Sequence, residues 1–589
     1  MLTKLLMGCS GCVAALILAG VTEPAAAADT ADQAFLQLTQ KEWQWRKLQY
    51  SGEDEEDGQP SVNEHLPYVD PKVQTERLKY WQDVMKSLDK IPTAELTHDN
   101  QVSLAVYRDQ INALINNQLY QEYEKPLNAD TTFWTNLVGI AHQKLKTKTE
   151  YTAYIHQLND MPRYFDDQMN NMQLGLKRGF TPPRVTLEGR DTSIRSAAEP
   201  QGETNPYYEP FKKMPASISA EDQSQLRAAG VDAINHAVIP AHLKLLKFFT
   251  EVYIPKSRTE LAAIKLPDGQ RYYQSKIKEF TTTDLSAEEI HAIGLSEVAK
   301  IHAQMEQTIA DLKFKGSFAE FLAFLRTDSQ FYAKSPDELL MHAAFIAKEF
   351  DGKAKDYFGM LPRARFAIKP VPMDMAPFYT AGRGGPGVYL VNTYNLPSRP
   401  LYALPALTLH ESAPGHAFQM SLSNEHTDQP PFRAQGYLSG YGEGWALYCE
   451  KLGVEMGMYH NAYEMFGMYT YQMWRAARLV VDTGIHSKGW TRAQAQRYLH
   501  DNTALSDHEI ETEVDRYISW PGQALAYYLG ERTILLARAR AEKALGSQFN
   551  LKAFHDTILA LGSVPLPVLD SEIDRFIANG GKGPYPDIE

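Results

Sequence analysis

Helix-start signals recur along the whole of this chain, and they constrain its fold more than any other feature. Ser219 stands three residues ahead of Asp222, Ser286 ahead of Glu289, and Thr491 ahead of Gln494, where an amide replaces the carboxylate. In such a pair the hydroxyl accepts from the N–H of the third residue. The carboxylate or amide reaches back to the N–H of the first. Ser335 followed by Pro336 marks a further start, because proline at the first helical position gives up no hydrogen bond. Asp32 to Tyr50 carries Phe35, Leu36, Trp43, Trp45 and Leu48 at roughly helical spacing. A mainly α fold is expected.

Three stretches break the pattern. Gly52 to Pro60 and Glu188 to Pro210 are polar, contain turn formers and lack a period, so both read as solvated loops. Residues 361–405 are crowded with proline and glycine. There, Arg365 to Val371 and Val388 to Asn392 are β-branched or aromatic runs, and Gly384-Gly385-Pro386-Gly387 precedes the second. This predicts a small sheet or hairpin inserted between helical halves. We expect a helical lobe over residues 29–330 and a catalytic lobe with the small sheet over 331–589.

Residues 1–28 have the order of a secretory signal: Lys4, the apolar run Leu5 to Gly20, and Ala26-Ala27-Ala28 before Asp29. A membrane anchor is the alternative, but the run is short for a full span. Lipidation at Cys9 is another, although the apolar stretch ahead of that cysteine is too short for a signal core. Cleavage predicts a periplasmic or secreted protein. It leaves Cys449 as the sole cysteine, so no intramolecular disulfide can form and the core alone must hold the fold. The net charge of −13 argues against a nucleic-acid partner. No later segment is long and apolar enough for an integral membrane span.

The chemistry-bearing motif follows the apolar run Leu401 to Leu409: His410-Glu411-Ser412-Ala413-Pro414-Gly415-His416. A catalytic zinc takes three protein ligands and keeps an open position for water, with a carboxylate near enough to receive that water's proton. His410 beside Glu411 suits this. The second histidine usually lies four residues on, one turn along the same face. Here it lies six residues on, a rotation of about 600° that leaves the two side chains about 240° apart on a regular helix. Pro414 cannot donate to the carbonyl of His410, and Gly415 relaxes the backbone, so a π-type bulge or broken turn at 412–415 is expected to bring the histidines together. A histidine pair at a kinked helix without metal is the alternative. Downstream, Glu443 in Gly442-Glu443-Gly444-Trp445 is the candidate third ligand, and Glu450, two turns on, is expected behind the ligands or as the substitute. Trp445 to Tyr448 suggest a buried setting, in which a carboxylate needs a charge partner.

These motifs resemble a large family of exported bacterial proteins described as a domain of unknown function. The likeness rests on His-Glu-x-x-Pro-Gly-His, on Glu-Gly-Trp-Ala-Leu-Tyr-x-Glu from Glu443, and on Arg478 to His486. Asp284 to Gly294 and Arg516-Tyr517 through Pro521 to Ala524 extend it. It implies a mainly α-helical fold with a deep cleft. More distantly, the arrangement is similar to the helical zinc metallopeptidases, among them thimet oligopeptidase, angiotensin-converting enzyme and the thermostable carboxypeptidases, which carry the shorter His-Glu-x-x-His. By that likeness Tyr527, in Ala526-Tyr527-Tyr528-Leu529-Gly530, matches the tyrosine that faces substrate.

The expected activity is zinc-dependent hydrolysis of peptide bonds, by an oligopeptidase or a carboxypeptidase. Glu411 acts as base, His410, His416 and Glu443 hold Zn2+, and Tyr527 or His486 stabilises the oxyanion. His486 is equally readable as a structural histidine. Arg478 and Arg516 either meet a substrate carboxylate or hold acidic neighbours, the second being favoured. The run Val388 to Asn392 could hold extended peptide as an edge strand. Hydrolysis of a non-peptide amide or ester, and ligand capture without catalysis, are the competing functions.

Overall fold

The computed structural model describes residues 23–50, 64–129, 131–373 and 376–585. The leader expected over 1–28 lies outside them as far as residue 22, and so does the acidic loop Gly52 to Pro60. Helices dominate, as the start signals require. In chain order they are α1 (Glu23–Tyr50), α2 (Pro71–Leu88), α3 (His98–Leu119), α4 (Lys148–Arg178), α5 (Asp191–Ala198), α6 (Ala220–Ala233), α7 (Ile239–Phe248), α8 (Gly269–Thr281), α9 (Ala287–Asp311), α10 (Phe318–Thr327) and α11 (Pro336–Tyr357). After the sheet come α12 (Leu404–Glu411), α13 (His416–Glu425), α14 (Ser439–Glu455), α15 (Ala462–Lys488), α16 (Arg492–Asn502), α17 (Asp507–Ser519), α18 (Ala526–Leu545), α19 (Leu551–Leu561) and α20 (Leu566–Ala578).

The expected caps are in place. Ser286 Oγ accepts from the Glu289 N–H while Glu289 Oε2 accepts from the Ser286 N–H, and Thr491 with Gln494 repeats the exchange at α16. Ser219 caps α6, and Ser335 caps α11 with Pro336 at its first position. The loop reading of Glu188 to Pro210 is corrected. More than half of it forms α5 and two short 3-10 turns that bury Ile194, Ala197, Tyr207 and Tyr208, because the apolar residues are too few for a visible period yet enough for one packed face.

Two cores result. The smaller draws on residues 66–254, with Trp134, Phe165 and Phe249 among its fully enclosed side chains. The larger gathers α1 to α3 with most of the chain from residue 263 onward. It runs through residue 330 without a break, taking Phe321 and Leu325 on one side and Phe331 and Leu339 on the other. A cavity of about 420 Å³ is lined by Phe133 and Tyr164 of the smaller core and Tyr272 of the larger.

Two helix pairs frame the site. α9 lies along α15, and α14 lies along α18, where Gly440, Gly444 and Gly530 let the backbones touch. The sheet has three strands: β1 (Ala367–Pro370), β2 (Gly382–Gly385) and β3 (Val388–Val391), in the order β1-β3-β2. β3 is central, parallel to β1 and antiparallel to β2, with Gly384 opposite Tyr389. The expected edge strand at Val388 to Asn392 is thereby corrected: β3 is paired on both sides, and β1 and β2 are the edges. β2 packs against α12 and α13, the helices that carry the histidines.

Candidate metal centre

α12 is buried along its length up to His410 and ends at Glu411. Beyond it the chain does not bulge; it breaks. Ser412 leaves the helical region at φ −100° and ψ −100°, and α13 starts afresh at His416. The Gly415 N–H reaches back to the carbonyl of Leu409 at 3.0 Å, and Trp445 Nε1 on α14 donates to the carbonyl of Pro414 at 2.8 Å. A Cβ at Gly415 would meet the His410 carbonyl oxygen at 1.8 Å, so only glycine permits this turn. The break does what a regular helix could not: the two imidazole centres stand 4.9 Å apart at 85°.

Glu443, one turn into α14, completes the group. Its Oε2 lies 3.5 Å from His410 Nε2 and 3.3 Å from His416 Nε2, and one ligand-type atom from each residue lies within 4.8 Å of the others. Ligands at about 2.0–2.1 Å around a tetrahedral zinc stand about 3.3 Å from one another, so the two carboxylate separations suit such an ion. On its far side His410 Nδ1 pairs with Glu450 Oε1 at 2.7 Å, which leaves Nε2 turned toward Glu443. Glu450 thus stands behind His410 rather than among the three converging side chains.

Charge supports the fit. Burial alone would lower the His410 pKa, but its bonds to Glu443 and Glu450 carry it up to about 10. Burial alone would raise Glu443, yet His416 and His410 hold its carboxyl well below the usual range. The cluster therefore favours positive charge in a nearly enclosed space, which a divalent cation can supply in place of a proton. His416 Nδ1 is buried with no hydrogen-bond partner among the described residues.

Glu411 is bound from the sheet: its Oε2 accepts from the Gly384 N–H at 2.7 Å. The approach is so close that a Cβ on Gly384 would overlap the Glu411 carbonyl oxygen at 1.7 Å. Tyr527 at the start of α18 lies beside the group, its ring 6.5 Å from that of His410 and nearly parallel at 18°. Its hydroxyl accepts from Arg516 Nη2 at 3.4 Å.

His486 takes the structural one of its two readings. Its Nδ1 accepts from the Ala263 N–H at 3.1 Å and its Nε2 donates to the Tyr517 carbonyl at 2.8 Å, so both ring nitrogens serve the backbone. Full burial pushes its pKa down to about 3, and no oxyanion can be served from there. Arg478 binds Glu513 and the Tyr517 hydroxyl, both at 2.8 Å.

Sequence reasoning missed Tyr437, whose hydroxyl donates to Glu443 Oε1 at 3.1 Å. Tyr437 precedes α14 in a segment without period, and nothing local marks it. Gly384 was legible only as a turn former, since its role depends on tertiary contact.

A family model for "Bacterial protein of unknown function (DUF885)" matches residues 49–573. No curated protein matches. Two solved structures are similar. One, described as a "putative lipoprotein" from Colwellia psychrerythraea, is 25% identical with a TM-score of 0.84, over 94% of this chain and 99% of that one. The other, described as a "putative lipoprotein of unknown function" from Shewanella oneidensis, shares the fold at 16% identity and a TM-score of 0.65, over the same shares of the two chains. The match spans most of the sequence, including both histidines and Glu443: the chain belongs to the bacterial family of unknown function DUF885.

Proposed function

We propose that this protein is a zinc-dependent peptidase that works in the periplasm or as a secreted protein. One observation carries the reading: His410, His416 and Glu443 converge, and Glu411, the next residue after a ligand, is held by the outer edge of β2. Zinc bound there would polarise a carbonyl and lower the pKa of an attacking water. Glu411 accepts that water's proton and passes it to the leaving amine. Tyr527, beside His410, supplies the hydroxyl that meets the developing oxyanion. Export is supported by the leader-like residues 1–28 and by the lipoprotein descriptions of the two similar structures.

A pooled peptide library digested by the zinc-loaded protein, read by mass spectrometry, tests this. Cleavage is expected, with Glu411→Gln keeping its zinc and losing turnover by about 10²–10⁴-fold. Glu443→Ala should lose zinc and turnover together. Stoichiometric zinc with an uncut library would point to ligand capture. Turnover confined to esters or non-peptide amides would point to a different hydrolase.

A further inference from the structure

A second cavity, of about 280 Å³, lies along the first turn of α12. Its walls are apolar where Leu339 of α11, Val391 of β3, Leu404 and Leu407 of α12, and Leu505 meet. About 150 Å³ of such space suffices for a benzene ring, so this cavity takes a large side chain. Two of its polar lining residues carry hydrogen-bonding atoms that are not used. Thr470 on α15 is only 2% exposed, and its Oγ1 is buried with no hydrogen-bond partner among the described residues. The same holds for Nε of Arg399. Buried polar groups left without a partner are costly, and they persist where a ligand arrives to meet them.

The charges on this wall are already answered. Arg399 Nη1 faces Glu509 Oε1 at 3.6 Å, and Arg326 donates to the backbone carbonyls of His500, Thr503 and Leu505. A guest with a cationic tip would meet two guanidiniums, and one with a carboxylate tip would meet Glu509. A neutral hydroxyl on an apolar body escapes both. Its oxygen can accept from the Arg399 Nε–H or from the Thr470 hydroxyl.

The cavity also adjoins Glu411. Leu407 lies one turn, about 5.4 Å, before that residue on α12 and on the same face. From the sheet, Ala381 and Val391 line the cavity. Gly382 follows the first and pairs opposite the second, and a Cβ there would stand 3.7 Å from Glu411 Cγ. Helix and sheet thus bring the cavity wall to the residue that acts as base, within reach of a side chain next to the bond being cut.

We propose that this cavity is the specificity pocket of the enzyme and receives the side chain flanking the scissile bond, with tyrosine preferred. The proposal rests on the peptidase reading above and names its substrate class, peptides cut beside a tyrosine. The leucines hold the ring, while Thr470 and Arg399 select the hydroxyl, because a site built to hydrogen-bond a hydroxyl rejects the analogue that lacks it.

The test uses two pentapeptides blocked at both ends and alike except for tyrosine or phenylalanine at the centre. Each is titrated calorimetrically into the zinc-loaded Glu411→Gln protein. The tyrosine peptide should bind about tenfold more tightly, as one added hydrogen bond implies. Thr470→Val keeps the shape of the side chain and removes its hydroxyl, and Arg399→Lys keeps a charge opposite Glu509 and removes the Nε–H. The two changes together should bring the ratio to about one while the phenylalanine peptide binds as before. Residues with only a structural role would weaken both peptides alike. Equal affinities in the unsubstituted pocket overturn the proposal, whether or not the double variant folds. The library digest reports on hydrolysis separately, and cuts concentrated beside tyrosine are expected. Cuts spread evenly over all side chains remove the pocket and leave the peptidase, whereas an uncut library with tyrosine-selective binding removes the peptidase and leaves the pocket.

Discussion

Glu450 Oε1 lies 2.7 Å from His410 Nδ1, on the opposite side of the ring from Glu443. The two carboxylates come from one face of α14, seven residues apart. Together they fix which nitrogen of His410 is free for a metal, since the proton on Nδ1 is claimed by Glu450. Replacing Glu450 by glutamine keeps an acceptor and removes the charge. Zinc affinity should fall about 10–100-fold, measured by competition with a chelator. Unchanged affinity would show that Glu450 plays no part in holding the ligand.

Gly384→Ala tests how Glu411 is positioned. The added Cβ overlaps the Glu411 carbonyl, so β2 or the end of α12 must move. Displacing a base by about 1 Å costs about 10²-fold in turnover. Turnover should fall by that factor with the fold intact by circular dichroism, whereas Gly385→Ala, with open space at its Cβ, should be near wild type. Equal activity of the two variants would contradict the assigned role of the edge strand.

Acid stability should report two neutral histidines. Burial pushes both His486 and His555 down to about 3, against about 6.5 in an unfolded chain. Between these values the unfolded state binds a proton that the folded state refuses. Their share of the stability is therefore whole above about pH 6.5 and falls as the pH drops toward 3, by up to about 1.4 kcal/mol per pH unit for each group. Glu531 and Asp482, raised by burial to about 8 and about 7, act in the opposite sense, so the test is the difference between the wild type and His555→Gln. The wild-type urea midpoint should fall relative to that of His555→Gln from pH 6.5 to 4, and a constant difference would mean that His555 is protonated in the fold.

The sequence was informative where the physics is local. Capping pairs such as Ser286 with Glu289 depend on residues three apart, so α9, α11 and α16 start where they were expected. The pairing of Pro414 with Gly415 foretold a distortion, a bulge or a broken turn, because a missing donor and a missing Cβ are properties of the residues themselves; the structure has the broken turn. Other features came from distant contacts. Gly384 and Tyr437 gain their roles from Glu411 and Glu443, and β2, made of Gly-Arg-Gly-Gly, has no strand propensity of its own. His486 stayed open between a catalytic and a structural role, because the partners that decide it, the backbone of Ala263 and Tyr517, are distant in sequence.

The central claim is that His410, His416 and Glu443 hold a zinc ion, and an anomalous difference map from zinc-loaded crystals, collected at the zinc absorption edge, tests it most directly. A single strong peak is expected about 2.0–2.2 Å from His410 Nε2, His416 Nε2 and a Glu443 carboxylate oxygen. Zinc density elsewhere on the protein, with none between these three side chains, would contradict it.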